Sequence, residues 1–212
     1  MIGLARILGN GARYRALCHN ERFHAGLVHY PARVDHEDHR HDRAQLTFLL
    51  AGGFNEQAEG RDAMPRGPRH GYRRAGARHG CTFGPEGALI LSVNFHEEAD
   101  LPIGPSDWRH SGRATNALLP LLYDPDNEPE AIVEELLATV GLEARVSGRH
   151  APPWLARVAE QIADDPGVDV ATAAQEAGVH RVHLSRAFQR YYGVSPSAFR
   201  LQCKTARAIR LM

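Results

Sequence analysis

Two groups of side chains in this sequence have types and spacings suited to chemistry. Near the C-terminus, Arg181, Val182, Ser185, Arg186 and Gln189 fall on one face of a helix, with Arg190 and Lys204 close behind. Arginine makes bidentate hydrogen bonds to guanine, Ser and Gln bond to base edges, Val touches a thymine methyl, and further cations hold phosphates. That is the side-chain chemistry of direct base readout. In the N-terminal half stand His39, His41, Gln45 and His79. On a strand His39 and His41 point to the same side, so with Gln45 and His79 they can converge on one ion or ligand inside a barrel. Imidazoles favour zinc, iron, nickel or copper over hard cations.

The elements that must carry these groups differ between the two halves. Short apolar runs separated by Gly and Pro, at His24 to Tyr30, Gln45 to Leu50 and Ala88 to Phe95, predict strands of a small antiparallel barrel or sandwich. The Gly/Arg/Pro-rich stretch from Gly60 to Gly80 reads as mostly turns. Helical spacing then takes over. Ala117 to Leu122 predicts a short helix ending near Pro125, and Ile132, Val133, Leu136, Leu137 and Val140 mark a longer amphipathic one. Residues 147–152 form a linker, and Pro153 opens a helix with Leu155, Val158, Ala159 and Ile162 inward. Asp169 caps a second helix of small apolar residues, Gly178 supplies the sharp turn, and a third helix turns Leu184, Ala187, Phe188 and Tyr191 inward before Gly193. Ser195 and Pro196 are suited to cap and start a fourth.

The fold class expected is therefore α+β, an antiparallel barrel followed by an all-α helix-turn-helix domain. Its boundaries fall at 1–110 for a sensor or dimerisation domain, 111–146 for a helical connector and 153–212 for the helical domain. Lys plus Arg and Asp plus Glu both number 25, so the total charge is uninformative. Its distribution is not: from Ala177 to Met212 there are seven Lys and Arg residues and no Asp or Glu, and the rest of the chain carries the compensating negative charge. A segregated basic end fits a phosphate partner. Cys18, Cys81 and Cys203 form no Cys-x-x-Cys pair, which argues against a disulfide framework or a thiolate zinc site. The N-terminus lacks the apolar core of a signal peptide, and no run approaches a membrane span, so a cytoplasmic protein without a membrane partner is expected.

Ala173-Ala174, Ala177-Gly178-Val179, Leu184-Ser185-Arg186-Ala187-Phe188 and Gly193-Val194-Ser195-Pro196-Ser197-Ala198-Phe199 together resemble the first helix-turn-helix of the AraC/XylS regulators. Lys204, Ala208, Leu211 and Met212 continue the likeness into the basic linker helix of that family. The resemblance implies double-stranded DNA as a partner, base reading by Arg181, Val182, Ser185 and Arg186, and transcription regulation rather than catalysis. Two departures stand out: His180 replaces the small hydroxyl residue that usually caps the recognition helix, and the second helix-turn-helix of the family does not follow before Met212. A single reading head implies weak binding unless a homodimer supplies a second on half-sites about 34 Å apart. The amphipathic stretch from Glu128 to Gly141 is the candidate dimer surface.

His39-Arg40-His41-Asp42-Arg43-Ala44-Gln45 followed by Gly52, and Gly76-Ala77-Arg78-His79, resemble the two cupin motifs, with Gln45 at a position where metal-binding cupins carry Glu. The second motif is eroded, with Arg74 and Phe83 at its usual proline and asparagine positions. The expectation is an effector pocket or structural barrel built from His39, His41, Gln45 and His79, with no cofactor and no metal. A sensory metal and a catalytic one stand as alternatives. A small-molecule effector is implied by the family, and its identity is not legible. Two rivals to the regulator remain: a metal-dependent cupin enzyme with an appended helical domain, and a truncated regulator that cannot bind an operator.

Overall fold

Two strands much longer than average organise the N-terminal half, β5 (Gln45–Ala58) and β8 (Arg78–Phe95). Around them the computed structural model arranges β1 (Arg6–Ile7), β2 (Arg13–His19), β3 (Phe23–Tyr30), β4 (Asp35–Arg40), β6 (Arg61–Ala63), β7 (Arg69–Arg73) and β9 (Arg109–His110). Described are residues 6–8, 11–66, 68–97, 108–111, 128–146 and 151–210. Every strand pairing is antiparallel, in the order β1-β2-β3-β8-β5-β7-β9, while β4 adds to β8 and β6 to β5. The two long strands pair with each other along both halves, Gln45 with Asn94 at one end and Ala58 with His79 at the other. Their register shifts around Gly52, where the strands bend. Gly52 has φ +78°, and a Cβ there would lie 2.0 Å from the carbonyl oxygen of Gly87, so the bend requires glycine at this position.

Alternation along the strands separates two surfaces. Leu46, Phe48, Leu50, Leu91, Val93 and Phe95 form one core with helix α1 (Pro129–Val146), whose Ile132, Val133, Leu136, Leu137 and Val140 are all buried. Asn20 and Arg22 tie its polar side to Glu130 and Glu134. The stripe expected as a dimer surface is thus spent on the barrel of its own chain, because a sheet face this apolar must be covered. The other surface points inward. Leu49, Phe54, Phe83 and Ile90 fill one part of it, and Gln45, Thr47, Glu56, Arg73 and Ser92 make the remainder polar.

The reading of Gly60 to Gly80 as turns is corrected: β6, β7 and the start of β8 lie there. Strands β5 and β8 also extend well beyond the apolar runs that announced them. The expected helix at Ala117 to Leu122 and residues 147–150 of the linker lie outside the described residues.

The C-terminal helices are α2 (Pro153–Asp164), α3 (Val170–Glu176), α4 (Arg181–Tyr192) and α5 (Pro196–Arg210). Leu155, Val158, Ala159, Ile162, Ala173, Ala174, Leu184, Ala187, Phe188 and Phe199 close a separate core. Asp169 accepts the amides of Ala171 and Thr172, and Ser195 accepts that of Ala198, so both expected caps are made. Gly178 and Gly193 take positive φ at the two turns. His180 caps α4 as well, its Nδ1 accepting the amide of Val182 at 3.2 Å. Tyr192, rather than Tyr191, completes the inward stripe, because it meets Phe188 and Phe199 within the unit and His110 of β9 outside it.

Candidate functional site

The helical unit sits on the barrel without covering α4. His110 meets Tyr192 and Phe199 edge-on at ring-centroid distances of 4.8 and 5.4 Å, and Arg69 faces Glu160 of α2 at 3.8 Å. Helix α5 also runs against β5 and β8. These contacts use α2, the last turn of α4 and α5. The first turns of α4 stay open, with Arg181, Val182 and Arg186 exposed and Ser185 half-buried. Neither Arg181 nor Arg186 forms an ion pair among the described residues. Arg190 lies over the ring of Tyr191 at 5.7 Å, and Lys204 is exposed on α5. Gln189 is exposed on the same face and also engages the helix end. Its amide nitrogen donates to the carbonyl of Gly193 at 2.9 Å, which satisfies a carbonyl at the helix end.

In the barrel, β4 and the turn after it bring His39 and His41 against His79 of β8. The His41 Nε2 lies 3.2 Å from that of His39 and 2.8 Å from that of His79, and the three ligand atoms fall within 4.8 Å of one another. The opposite nitrogens fix the tautomers. His39 Nδ1 donates to the carbonyl of Glu37 at 2.8 Å, and His79 Nδ1 donates to the Glu56 carboxylate at 2.9 Å. In the neutral rings both Nε2 atoms are then lone pairs, and a single proton on His41 Nε2 can serve only one of them. Metal–nitrogen bonds of about 2.0–2.1 Å place ligand nitrogens roughly 3 Å apart, so the spacing and the lone-pair directions suit a divalent transition metal. Burial, reinforced by the neighbouring imidazoles, brings His41 down to about 3 and lowers His79 too, so these two rings are held in their neutral form at neutral pH.

Behind the triad lies a buried polar network. Burial alone would raise Glu56, but the hydrogen bond from His79, the Arg73 charge and the Trp108 N–H outweigh it and hold the carboxyl at about 2. Trp108 Nε1 donates to Glu56 Oε2 at 2.6 Å, and Arg73 Nε donates to Oε1 at 2.8 Å. Arg73 Nη1 donates to Gln45 Oε1 and Thr47 Oγ1. The expected convergence of Gln45 with the histidines is corrected here. Its amide nitrogen donates to Ser92 and Asn94, and its oxygen accepts from Arg73 and Thr47, so no ligand atom remains for the triad. Cys81 approaches His79 Nδ1 at 3.5 Å, making a second group with Glu56. Burial pushes its thiol up to about 12, and the carboxylate is already shared among three donors, so the Nε2 cluster is the better metal site.

The family described as "Bacterial regulatory helix-turn-helix proteins, AraC family" matches residues 162–201, from the end of α2 into α5. These helices are an AraC-family DNA-binding unit. The barrel is similar to an RmlC-like cupin from Shewanella frigidimarina NCIMB 400, at 15% identity and TM-score 0.41, over 44% of this chain and 83% of that one. It is similar also to KdgF from Halomonas sp., at 16% identity and TM-score 0.41, over 45% and 88%. No curated protein matches this chain in sequence. Among the described residues no helix is long and apolar enough to cross a membrane.

Of the residues assigned to the AraC-type unit from sequence, Arg181, Val182, Ser185 and Arg186 share the open face of α4, and Gln189 lies exposed beside them with its amide engaged at the helix end. In the barrel His39, His41 and His79 meet and Gln45 stands apart. Glu56, Arg73 and Trp108 were not anticipated, since their partners lie 17 and 52 residues away and no local spacing announces them. The histidines carry a pH dependence. Burial takes His70 to about 4 from 6.5, and takes His110 well below that starting value. Unfolded histidines bind protons that these do not, so stability is full above the unfolded value and falls as pH drops through 6.5 towards 4. Going from about pH 7 to about pH 5 should cost on the order of 2 kcal/mol through His70 alone, read by urea unfolding at both pH values. Equal unfolding free energies would show that these imidazoles gain protons freely in the folded chain.

Proposed function

We propose that this chain is a ligand-responsive, DNA-binding transcription regulator that reads promoter sequence through α4 and takes its signal at the barrel histidines. The observation that carries it is the open face of α4 in an AraC-type unit, with Arg181 and Arg186 exposed and without an ion pair among the described residues while the barrel contacts are made elsewhere on the unit. A duplex selected from genomic fragments supplies the target. In a salt-controlled titration on it, Arg186→Ala is expected to lose about 1–3 kcal/mol of specific affinity. Lys204→Ala should weaken binding to all sequences and reduce the salt slope by about 0.9. Two variants that bind like the parent would remove the basic face from the DNA.

The signal we assign to the triad is a late first-row divalent metal. His39, His41 and His79 would hold it through Nε2, with Glu37 and Glu56 fixing the rings from behind, and the ion would supply a charge that polarises the His79 N–H towards Glu56. A metal-dependent enzyme would use the same three ligands, so metal content does not separate it from a sensor. Sequence-specific DNA binding that changes with the metal does.

A further inference from the structure

The histidine site and the seat of the DNA-binding unit are joined by one short strand. Trp108, at the start of the β9 segment, donates to Glu56 Oε2, and Glu56 Oε1 accepts from His79. The indole lies over Gly71 of β7, where a Cβ would come within 3.0 Å of the ring, and meets Phe54 edge-on at 5.3 Å. Two residues on, His110 pairs in the ladder with Arg69 and is the ring against which Tyr192 and Phe199 are seated. Strand alternation puts Trp108 and His110 on the same side. One short step along the chain thus connects a hydrogen bond to the triad network with an aromatic contact of the helical unit.

The contact at His110 is built to open. Its Nδ1 is buried with no hydrogen-bond partner among the described residues, and a buried polar atom left unpaired favours the undocked arrangement in which water reaches it. Arg69 beside it donates its Nε to the carbonyl of Arg66 at 3.2 Å and faces Glu160 at 3.8 Å. Both features weaken the docked arrangement, which gives the state of β9 a contact on which to act.

We propose that β9 transmits the state of the triad to the DNA-binding unit: a metal on His79 fixes Glu56 and Trp108, holds His110 in place and tightens the docking of α4 and α5. The inference rests on the reading of the triad as a metal site. A cation on Nε2 makes the His79 Nδ1–H a stronger donor, which orders the Glu56 carboxylate and with it the Trp108 hydrogen bond.

The test uses the full chain, stripped with chelator or loaded with one equivalent of Zn²⁺. Zn²⁺ affinity is measured by chelator competition, and amide hydrogen exchange is followed across residues 181–203. In the parent, Zn²⁺ should slow exchange there on the order of fivefold or more. His110→Ala, remote from the ligands, should bind Zn²⁺ as the parent does and lose that slowing. Trp108→Phe keeps a ring over Gly71 but removes the N–H; it should still take up Zn²⁺ and also lose the slowing. Zn²⁺ bound with no change in exchange, or a full response in either variant, overturns the coupling and leaves the metal site standing. A parent that binds no Zn²⁺ overturns the metal reading and the coupling with it.

Discussion

Glu56→Ala should destabilise the barrel by about 3–5 kcal/mol, the largest stability change expected from any single polar replacement in this chain. The reason is the company the carboxylate keeps. Arg73 is 5% exposed and Glu56 1% exposed, so removing the anion leaves a guanidinium buried with Gln45 and Thr47 as its acceptors among the described residues. His79 and Trp108 lose their acceptor at the same time. Each orphaned donor adds its own desolvation cost. Glu56→Gln should lose less, because an amide oxygen still accepts one or two of these bonds. Replacing both charges, Glu56→Leu with Arg73→Met, should recover most of the loss, since a buried ion pair contributes little over apolar packing of similar volume. Urea unfolding of the three variants reads the series. A Glu56→Ala variant within about 1 kcal/mol of the parent would mean that water reaches Arg73 in the folded barrel.

This network also marks where the sequence stops being readable. The helical unit was legible almost residue by residue, because its determinants are local: apolar spacing at Leu155, Val158, Ala159 and Ile162, a cap at Asp169 and a turn at Gly178 all act within a few positions. Even its one misplaced residue is instructive. Tyr191 and Tyr192 both fit the spacing after Phe188, and the choice falls to Tyr192 through Phe199 and His110, contacts that spacing does not contain. The barrel was legible only where strands are apolar. Beyond the bend at Gly52, β5 turns Glu56 inward, and β7 turns Arg73 inward to meet it. Charged residues in a Gly- and Pro-rich stretch read as solvent-facing turns until the partner across the barrel is known. The open face of α4 was foreseen because periodicity places a residue on a face, but only coordinates show the Gln189 amide bonding the helix end.

For metal, the ordering of effects should follow distance from the ion. Loss of a ring behind which the site is built, in His41→Ala or His79→Ala, should lower Zn²⁺ affinity by more than about 100-fold. Changes one step further out typically cost about 10–100-fold, and a ligand must exceed them. Glu56→Gln belongs to that intermediate range, because it weakens the acceptor that holds His79 in the Nδ1–H tautomer. Gln45→Ala is the discriminating member. All four of its hydrogen bonds run to Ser92, Asn94, Thr47 and Arg73, so its removal should shift Zn²⁺ affinity by no more than about threefold. Competition against a chromogenic chelator at neutral pH measures the set on folded protein, with circular dichroism confirming the barrel in each variant. If Gln45→Ala lost as much affinity as His41→Ala, the amide would have to leave its four partners to reach the ion, and the three-histidine site would be the wrong one. If instead the order runs imidazole, Glu56, Gln45, a barrel whose sequence lacks the usual glutamate still binds metal through converging lone pairs that a single His41 proton cannot satisfy together.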